Sequence, residues 1–324
     1  MMSVEGSHPS KESFFLRNCL RLSFFEFISI SFLGLKSFIY DAPRFVKKIN
    51  AYASLIGHNY RFSKNDIYII GSVHAIASVL TKSTPFPNNS IQISSIDNAC
   101  AVYSAITMVD AWIDSGNKPL EYKKKYIQLV HDFLIFDSIE SDSDVILLDS
   151  HRILLLYARE KLYGRQGWPV FSKDFSRLVS AGNKEFSSDK PQTCLRATLL
   201  IGAYSAAAIY NSIFIDLPPA KNRMIKIDIM LLGSIMNIID DIFDYSDDIK
   251  SNRKTFVTES PTIYGGQDLG YQTCILLWNQ LAKLKFQKHK LAMQNTMAIW
   301  WLRNRFNSGD FKFSELLQIT RSEK

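Results

Sequence analysis

The sequence predicts an all-α protein, one large bundle with central helices, and three observations lead there. Long segments carry apolar residues at helical spacing, and none alternates apolar with polar residues long enough to propose a strand. Glycine and proline are sparse, 14 and 10 in 324 residues. Many of them gather between those segments as breakers. Several segments, including "RATLLIGAYSAAAIYNSIF" and "DIMLLGSIMNIID", are apolar nearly all round. A helix without a polar face has to be surrounded by others.

Taken in order, residues 1–12 read as a disordered N-terminus and 13–324 as a single helical domain. The stretch "LSFFEFISISFLGLKSFIY" is interrupted by Glu26 and Lys36. It falls short of the roughly 20 apolar residues that a membrane span needs, so it reads as a buried or interfacial helix. Helices follow over 64–82, 96–114, 121–138, 143–163, 192–212, 222–249, 268–286 and 289–306. They are bounded by "STPFPNNS", "DSGNKP", "YGRQGWP", "FIDLPPA" and "SPTIYGG". No repeat of fixed period is present.

Composition narrows the function classes. Hydrophobic residues make up 47% and mean hydropathy is near zero, as in a soluble globular protein with a sizeable core. The net charge is +7, but the bases are spread, with "EYKKKY" and "KLKFQKHK" as the main runs. Such runs are solvated helix faces rather than a nucleic-acid surface. Cys19, Cys100, Cys194 and Cys274 form no CxxC pair, which predicts reduced thiols and neither zinc nor disulfides. Glu5, Lys11, Glu12 and Arg17 break up the first twenty residues, arguing against a secretory signal and for a cytoplasmic protein.

The chemistry concentrates in "GSIMNIIDDIFDYSDDIKSNRKTF", residues 233–256. At about 100° per residue, Asn237, Asp240, Asp241, Asp244, Asp247 and Asp248 share an arc of about 120° on one helix. Ile235, Ile238, Ile239, Ile242 and Phe243 occupy the other sides. An acidic cluster is ordinarily a solvated helix end, but these apolar flanks argue against that. Like charges at i,i+4 repel and buried carboxylates are costly. A hard cation such as Mg²⁺, which takes carboxylate oxygens, relieves both problems.

"YSAITMVDAWIDSG" repeats the pattern with Asp110 and Asp114, again i,i+4 at the end of an apolar helix. The two acidic ends can face each other and clamp metal. Inward along the same stripes lie Gly233, Met230 and Ile229 on one helix and Thr107, Tyr103 and Cys100 on the other. Together they describe a pocket with a charged mouth and an apolar interior, suited to a polyanionic head on a hydrocarbon tail.

"MNIIDDIFDYSDDIKSNRKTF" resembles the second aspartate-rich motif of trans-isoprenyl diphosphate synthases. Residues Asn237 to Tyr245 give the amide, apolar pair, Asp-Asp, apolar pair, Asp and aromatic in that order. "CLRATLLIGAYSAA" resembles the helix preceding that motif. "VDAWID" has the DxxxD spacing of squalene and phytoene synthases and several terpene cyclases. The resemblance spans about residues 96 to 256 and implies the class I isoprenoid synthase fold, all-α with a central cavity. It also implies a cluster of Mg²⁺ ions on Asp110, Asp114, Asp240, Asp244 and Asp248, with Asp241 beside them. The diphosphate would meet Arg196, Arg253 and Lys254, with Arg303 or Arg305 of "AIWWLRNRF" as further candidates.

The arginine pair and Gly-Lys-x-x-Arg-type stretch that chain elongation uses are not visible. Nor is the tyrosine-rich signature of squalene and phytoene synthases, and Asp240 and its neighbours stand in place of an Asn-Ser-Glu triad. The resemblance therefore implies a noncanonical terpene cyclase that ionises one prenyl diphosphate. A prenyltransferase joining two units and a noncatalytic helical subunit are the alternatives. Tyr103, Tyr204 and Phe243 are the aromatics considered for stabilising a carbocation. A homodimer and transient contact with a membrane surface remain open to such a protein, with no transmembrane segment.

Overall fold

The computed structural model describes residues 32–83, 93–115, 118–138, 145–186, 190–216 and 219–282, with Lys11 and Ser29 besides. Among the described residues there is no strand. A π-helical turn, Ser37–Asp41, runs straight into α1 (Ala42–Leu55). There follow α2 (Lys64–Ser83), α3 (Ile93–Asp114), α4 (Leu120–Phe136), α5 (Asp149–Leu162), α6 (Trp168–Glu185), α7 (Pro191–Ile213), α8 (Pro219–Phe243), α9 (Tyr245–Ser251) and α10 (Ile263–Ala282). The expected helix over 289–306, Arg303, Arg305, Cys19 and the N-terminal segment 1–12, apart from Lys11, lie outside the described residues.

Two helices, α1 and α6, are additional to those expected. Each begins with proline in the first turn, where its missing N–H is no loss and its φ suits a helix. In "YGRQGWP" the proline therefore starts α6 as well as closing the loop before it. The α6 sequence repeats apolar residues at Phe171, Phe175, Leu178 and Val179, all buried. A further difference is at α5, which starts at Asp149 and not at 143: Leu148 is extended, with ψ 144°.

The expected continuous helix 222–249 is broken at Asp244, whose ψ of 2° separates α8 from α9. The break re-aims the last aspartates. Asp248 turns inward and is buried, whereas Asp247 faces solvent and pairs with Lys250 at 2.7 Å. Asp247 thus leaves the acidic stripe that unbroken helical geometry gave it. After α9, Asn252 adopts the left-handed conformation, φ 55°, one that asparagine tolerates better than most residues. The chain reverses there, the Arg253 amide donates to the Asp248 carbonyl at 2.8 Å, and the Arg253 side chain enters the bundle.

Two apolar clusters build the core. One draws on α1 to α6, around Phe45, Ile49, Tyr126, Tyr157 and Phe171. The other joins α7, α8 and α10 through Tyr210, Ile235, Ile239, Phe256 and Trp278. α7 and α8 meet backbone to backbone at Gly202 and Gly233. A Cβ on either would collide with the other's carbonyl oxygen, and one on Gly233 would lie 2.5 Å from the Ala206 Cβ. α7 is long and apolar enough to cross a membrane, but half of its most apolar window is buried in the bundle. Cys100, Cys194 and Cys274 are buried and joined in no disulfide among the described residues.

Candidate active site

A cavity of about 330 Å³ lies between the two clusters, toward the lower end of the sizes usual for small-molecule sites, about 300–1,000 Å³. α3 contributes Tyr103, Thr107, Asp110 and Asp114; α8 contributes Leu232, Gly233, Met236, Asn237, Asp240 and Asp241. Its interior is finished by Ile and Val side chains of α2 and α4 and by the α7 stripe at Ile201, Gly202, Ser205 and Ala206. The Gly202–Gly233 contact thus has a functional consequence: it fixes how far apart two cavity walls stand.

Each acidic wall changes from apolar to charged toward a helix C-terminus. Asp110 and Asp114 end α3, and Asp240 and Asp241 end α8; neither last turn carries a base. The helix macrodipole already makes those ends negative. Their carboxylates therefore add charge where the backbone opposes it, a placement that favours a cation. Arg253 is the base among the described residues lining this cavity. Its Nη1 lies 2.6 Å from Asp114 Oδ2 and 3.8 Å from Asp248 Oδ1, so one guanidinium ties the α3 wall to α9.

The acids respond as crowded, partly desolvated carboxyls should. Burial pushes Asp114 up to about 7, reinforced by Asp110 and opposed by Arg253. Burial likewise raises Asp248 to about 8 against the pull of Arg253. Asp241 rises to about 6, again through burial. Arg253 and a 2.8 Å hydrogen bond from the Thr198 hydroxyl hold it lower than it would otherwise be. Asp240 lies well above its ordinary value through burial and then the charges of Asp244 and Asp241, and Asp244 is raised through burial too. Burial disfavours the charge on Arg253, but Asp114, Asp110, Glu185 and Asp241 outweigh it and hold the guanidinium protonated.

Two expected site residues stand elsewhere. Arg196 is exposed and lines a separate groove with Gln128, His131 and Ser176, because its angular position on α7 points toward α4 and α6 and not into the cavity. Lys254 is exposed, one residue beyond the turn that buries Arg253. Of the cavity residues, Met230 does not line the space; Ile229, Leu232 and Met236 do. The face of α8 near Met230 turns toward α7, where the Ser234 hydroxyl donates to the Leu199 carbonyl at 2.8 Å. Asn237 also reaches α7, donating to the Thr198 carbonyl at 3.1 Å. Asp244 and Asp248 flank the mouth without lining the cavity.

Aromatic walls come from a helix that sequence spacing did not reveal. Phe175 and Phe186 of the α6 segment line the cavity with Tyr103, whereas Tyr204 and Phe243 do not. Tyr204 lies under the Arg177 guanidinium at 5.6 Å. Glu185, at the C-terminus of α6, lines the cavity as well. Sequence reasoning misses it because "SAGNKEF" holds a lone acid outside any recognised motif; the 3.6-residue stripe beginning at Phe171 is the signal that would have found it.

The donor chemistry suits a hard divalent cation: carboxylate oxygens from two walls, and a buried Glu185 Oε1 without a hydrogen-bond partner. Among the described residues, no three such side chains already converge on one point. Arg253 occupies Asp114 Oδ2 at 2.6 Å, so an ion on that oxygen would take the place of the guanidinium.

Comparison with known proteins identifies the architecture. No protein-family model and no curated protein sequence matches the chain. Among solved structures it is similar to a single-substitution variant of cucumene synthase, with a TM-score of 0.56 and 9% identity over 84% of this chain and 97% of that one. The chain has the class I isoprenoid synthase fold, of the terpene synthase kind.

Proposed function

We propose that the chain is a Mg²⁺-dependent class I terpene synthase, a cyclase that ionises one linear prenyl diphosphate and releases a terpene and diphosphate. The observation that carries the reading is the facing of Asp110 and Asp114 with Asp240 and Asp241 at the mouth of one apolar cavity. The fold shared with a terpene synthase supports it.

Asp110, Asp114, Asp240 and Asp244 would hold the metal, with Asp248 and Asp241 closing the cluster. Bound Mg²⁺ would supply charge stabilisation for the departing diphosphate. Arg253 is the base placed to meet the same anion once it leaves Asp114. The chain's own walls do the rest. Leu232, Met236, Ile201 and Ile209 keep water from the prenyl chain, and Tyr103, Phe175 and Phe186 turn aromatic surface toward it. A π face contributes about 0.5–2 kcal/mol to a nearby cation. In this reading residues 13–324 act as one helical domain in the cytoplasm.

Incubation with Mg²⁺ and geranyl, farnesyl or geranylgeranyl diphosphate, with and without isopentenyl diphosphate, tests it. A hydrocarbon or alcohol from a single substrate, lost in D110N and D240N, is expected. A longer diphosphate formed only with isopentenyl diphosphate would make the protein a prenyltransferase. Absence of Mg²⁺-dependent diphosphate release from every substrate would leave a noncatalytic subunit.

A further inference from the structure

We infer that Glu185 is a third-wall carboxylate of the cation site, supplied by α6 opposite the two aspartate pairs. The inference rests on the functional reading above and adds a residue to it.

The geometry is that of the other two walls. Along α6 the cavity-facing stripe runs Phe175, Leu178, Val179, Gly182, Glu185, at helical spacing. Like α3 and α8, α6 is apolar deep in the cavity and sets an acid on that face at its C-terminal end, although its last turn, unlike theirs, also carries a base, Lys184. Three helix C-termini, each with its partial negative charge, therefore meet at one mouth.

Glu185 is 5% exposed and its Oε1 has no hydrogen-bond partner. A buried polar atom left unpaired costs on the order of 1–3 kcal/mol, so a chain that keeps one in a cavity wall needs a reason. Packing supplies none, since glutamine or an apolar residue would fill the same volume. The carboxyl interacts electrostatically with Arg253, Asp241, Asp110 and Asp114, which places it among the groups of the mouth. A cation there would satisfy the free oxygen and offset the surrounding acids together.

The test is Mn²⁺ binding to the full chain without substrate, followed by loss of the free-ion electron paramagnetic resonance signal. Wild type, Glu185→Gln and Glu185→Asp are compared, with thermal melting in chelator to confirm folding. Glu185→Gln is expected to lose one bound Mn²⁺ or to bind at least about tenfold more weakly, as removal of groups supporting a metal site commonly does. Glu185→Asp, which keeps the charge on a shorter stem, is expected to retain the number of ions at reduced affinity. If Glu185→Gln does not fold, an affinity in Glu185→Asp equal to wild type overturns the inference. Equal titration of wild type and a folded Glu185→Gln overturns it too, leaving the Mg²⁺ reading intact. A wild-type chain that binds no Mn²⁺ overturns both.

Discussion

Replacing Arg253 by methionine removes the charge between the two walls while keeping most of the side chain's length. The Arg253 side chain is 18% exposed and faces Asp114 at 22% and Asp248 at 5%. Deleting one partner of such a buried pair ordinarily costs about 3–5 kcal/mol, because the remaining charge is stranded. Here the stranded groups can protonate. Burial already raises Asp114 to about 7 and Asp248 to about 8 with Arg253 present, and loss of the cation raises both further. Acids raised in the folded state hold protons that the unfolded chain has released, so their contribution to stability falls as pH rises through that window. R253M should therefore cost about 4 kcal/mol at pH 8.5 but only about 1.5 kcal/mol at pH 6. For 324 residues the unfolding entropy is about 0.7 kcal/mol/K. The corresponding drops in melting temperature are about 6 °C and about 2 °C, read by differential scanning fluorimetry in chelator. Millimolar Mg²⁺ should recover most of the loss at pH 8.5. An equal loss at both pH values, untouched by Mg²⁺, would refute the assignment of Arg253 as the counter-ion that metal replaces.

The glycine contacts make opposite predictions for one chemical change. Gly233→Ala drives a methyl into the Gly202 backbone and the Ala206 side chain, so α7 and α8 must part; a loss of about 3 kcal/mol, or about 4 °C, is expected in the melt. Gly182→Ala meets nothing nearer than Ile127 Cδ1 at 3.7 Å and should gain about 0.5–1 kcal/mol from helix propensity. Outside the cavity lining, burial lowers His151 to about 4, and the Tyr126 hydroxyl donates to its Nδ1 at 2.7 Å while accepting from the Leu148 amide. The unfolded imidazole takes its proton near 6.5, so its contribution to stability should fall by up to about 3 kcal/mol as pH drops from about 6.5 to 4. Urea denaturation should show that slope in the difference between wild type and His151→Gln, since the raised carboxyls titrate alike in both.

Much of the helix layout was legible because periodicity is local. α2, α3, α4 and α7 fall within a few residues of the expected segments, since each carries its apolar residues at helical spacing between breakers. The same bookkeeping placed Asp110, Asp114, Asp240 and Asp241 on stripes with apolar interiors, and all four line one cavity. It failed where one backbone angle changed the register: the turn at Asp244 sent Asp247 outward and Asp248 inward. The resemblance, and not periodicity, put Arg196 at the diphosphate; the side chain is exposed in a separate groove, since an arginine in an apolar helix can leave the core by facing a groove as readily as by entering a site.

By itself, the sequence determined that the chain is helical, that two helices end in acid, and that Asp110, Asp114, Asp240 and Asp241 lie on the stripes that carry the apolar cavity residues. Each follows from the rise and turn of a single helix. Tertiary structure alone decided what those faces meet. That α6 exists as a third wall ending in Glu185, that Arg253 closes on Asp114, and that glycines set the spacing of α7 and α8 all depend on residues far apart in the chain. Which side chains share a cavity is fixed by how helices pack across long separations, and no periodicity within one helix encodes that partner.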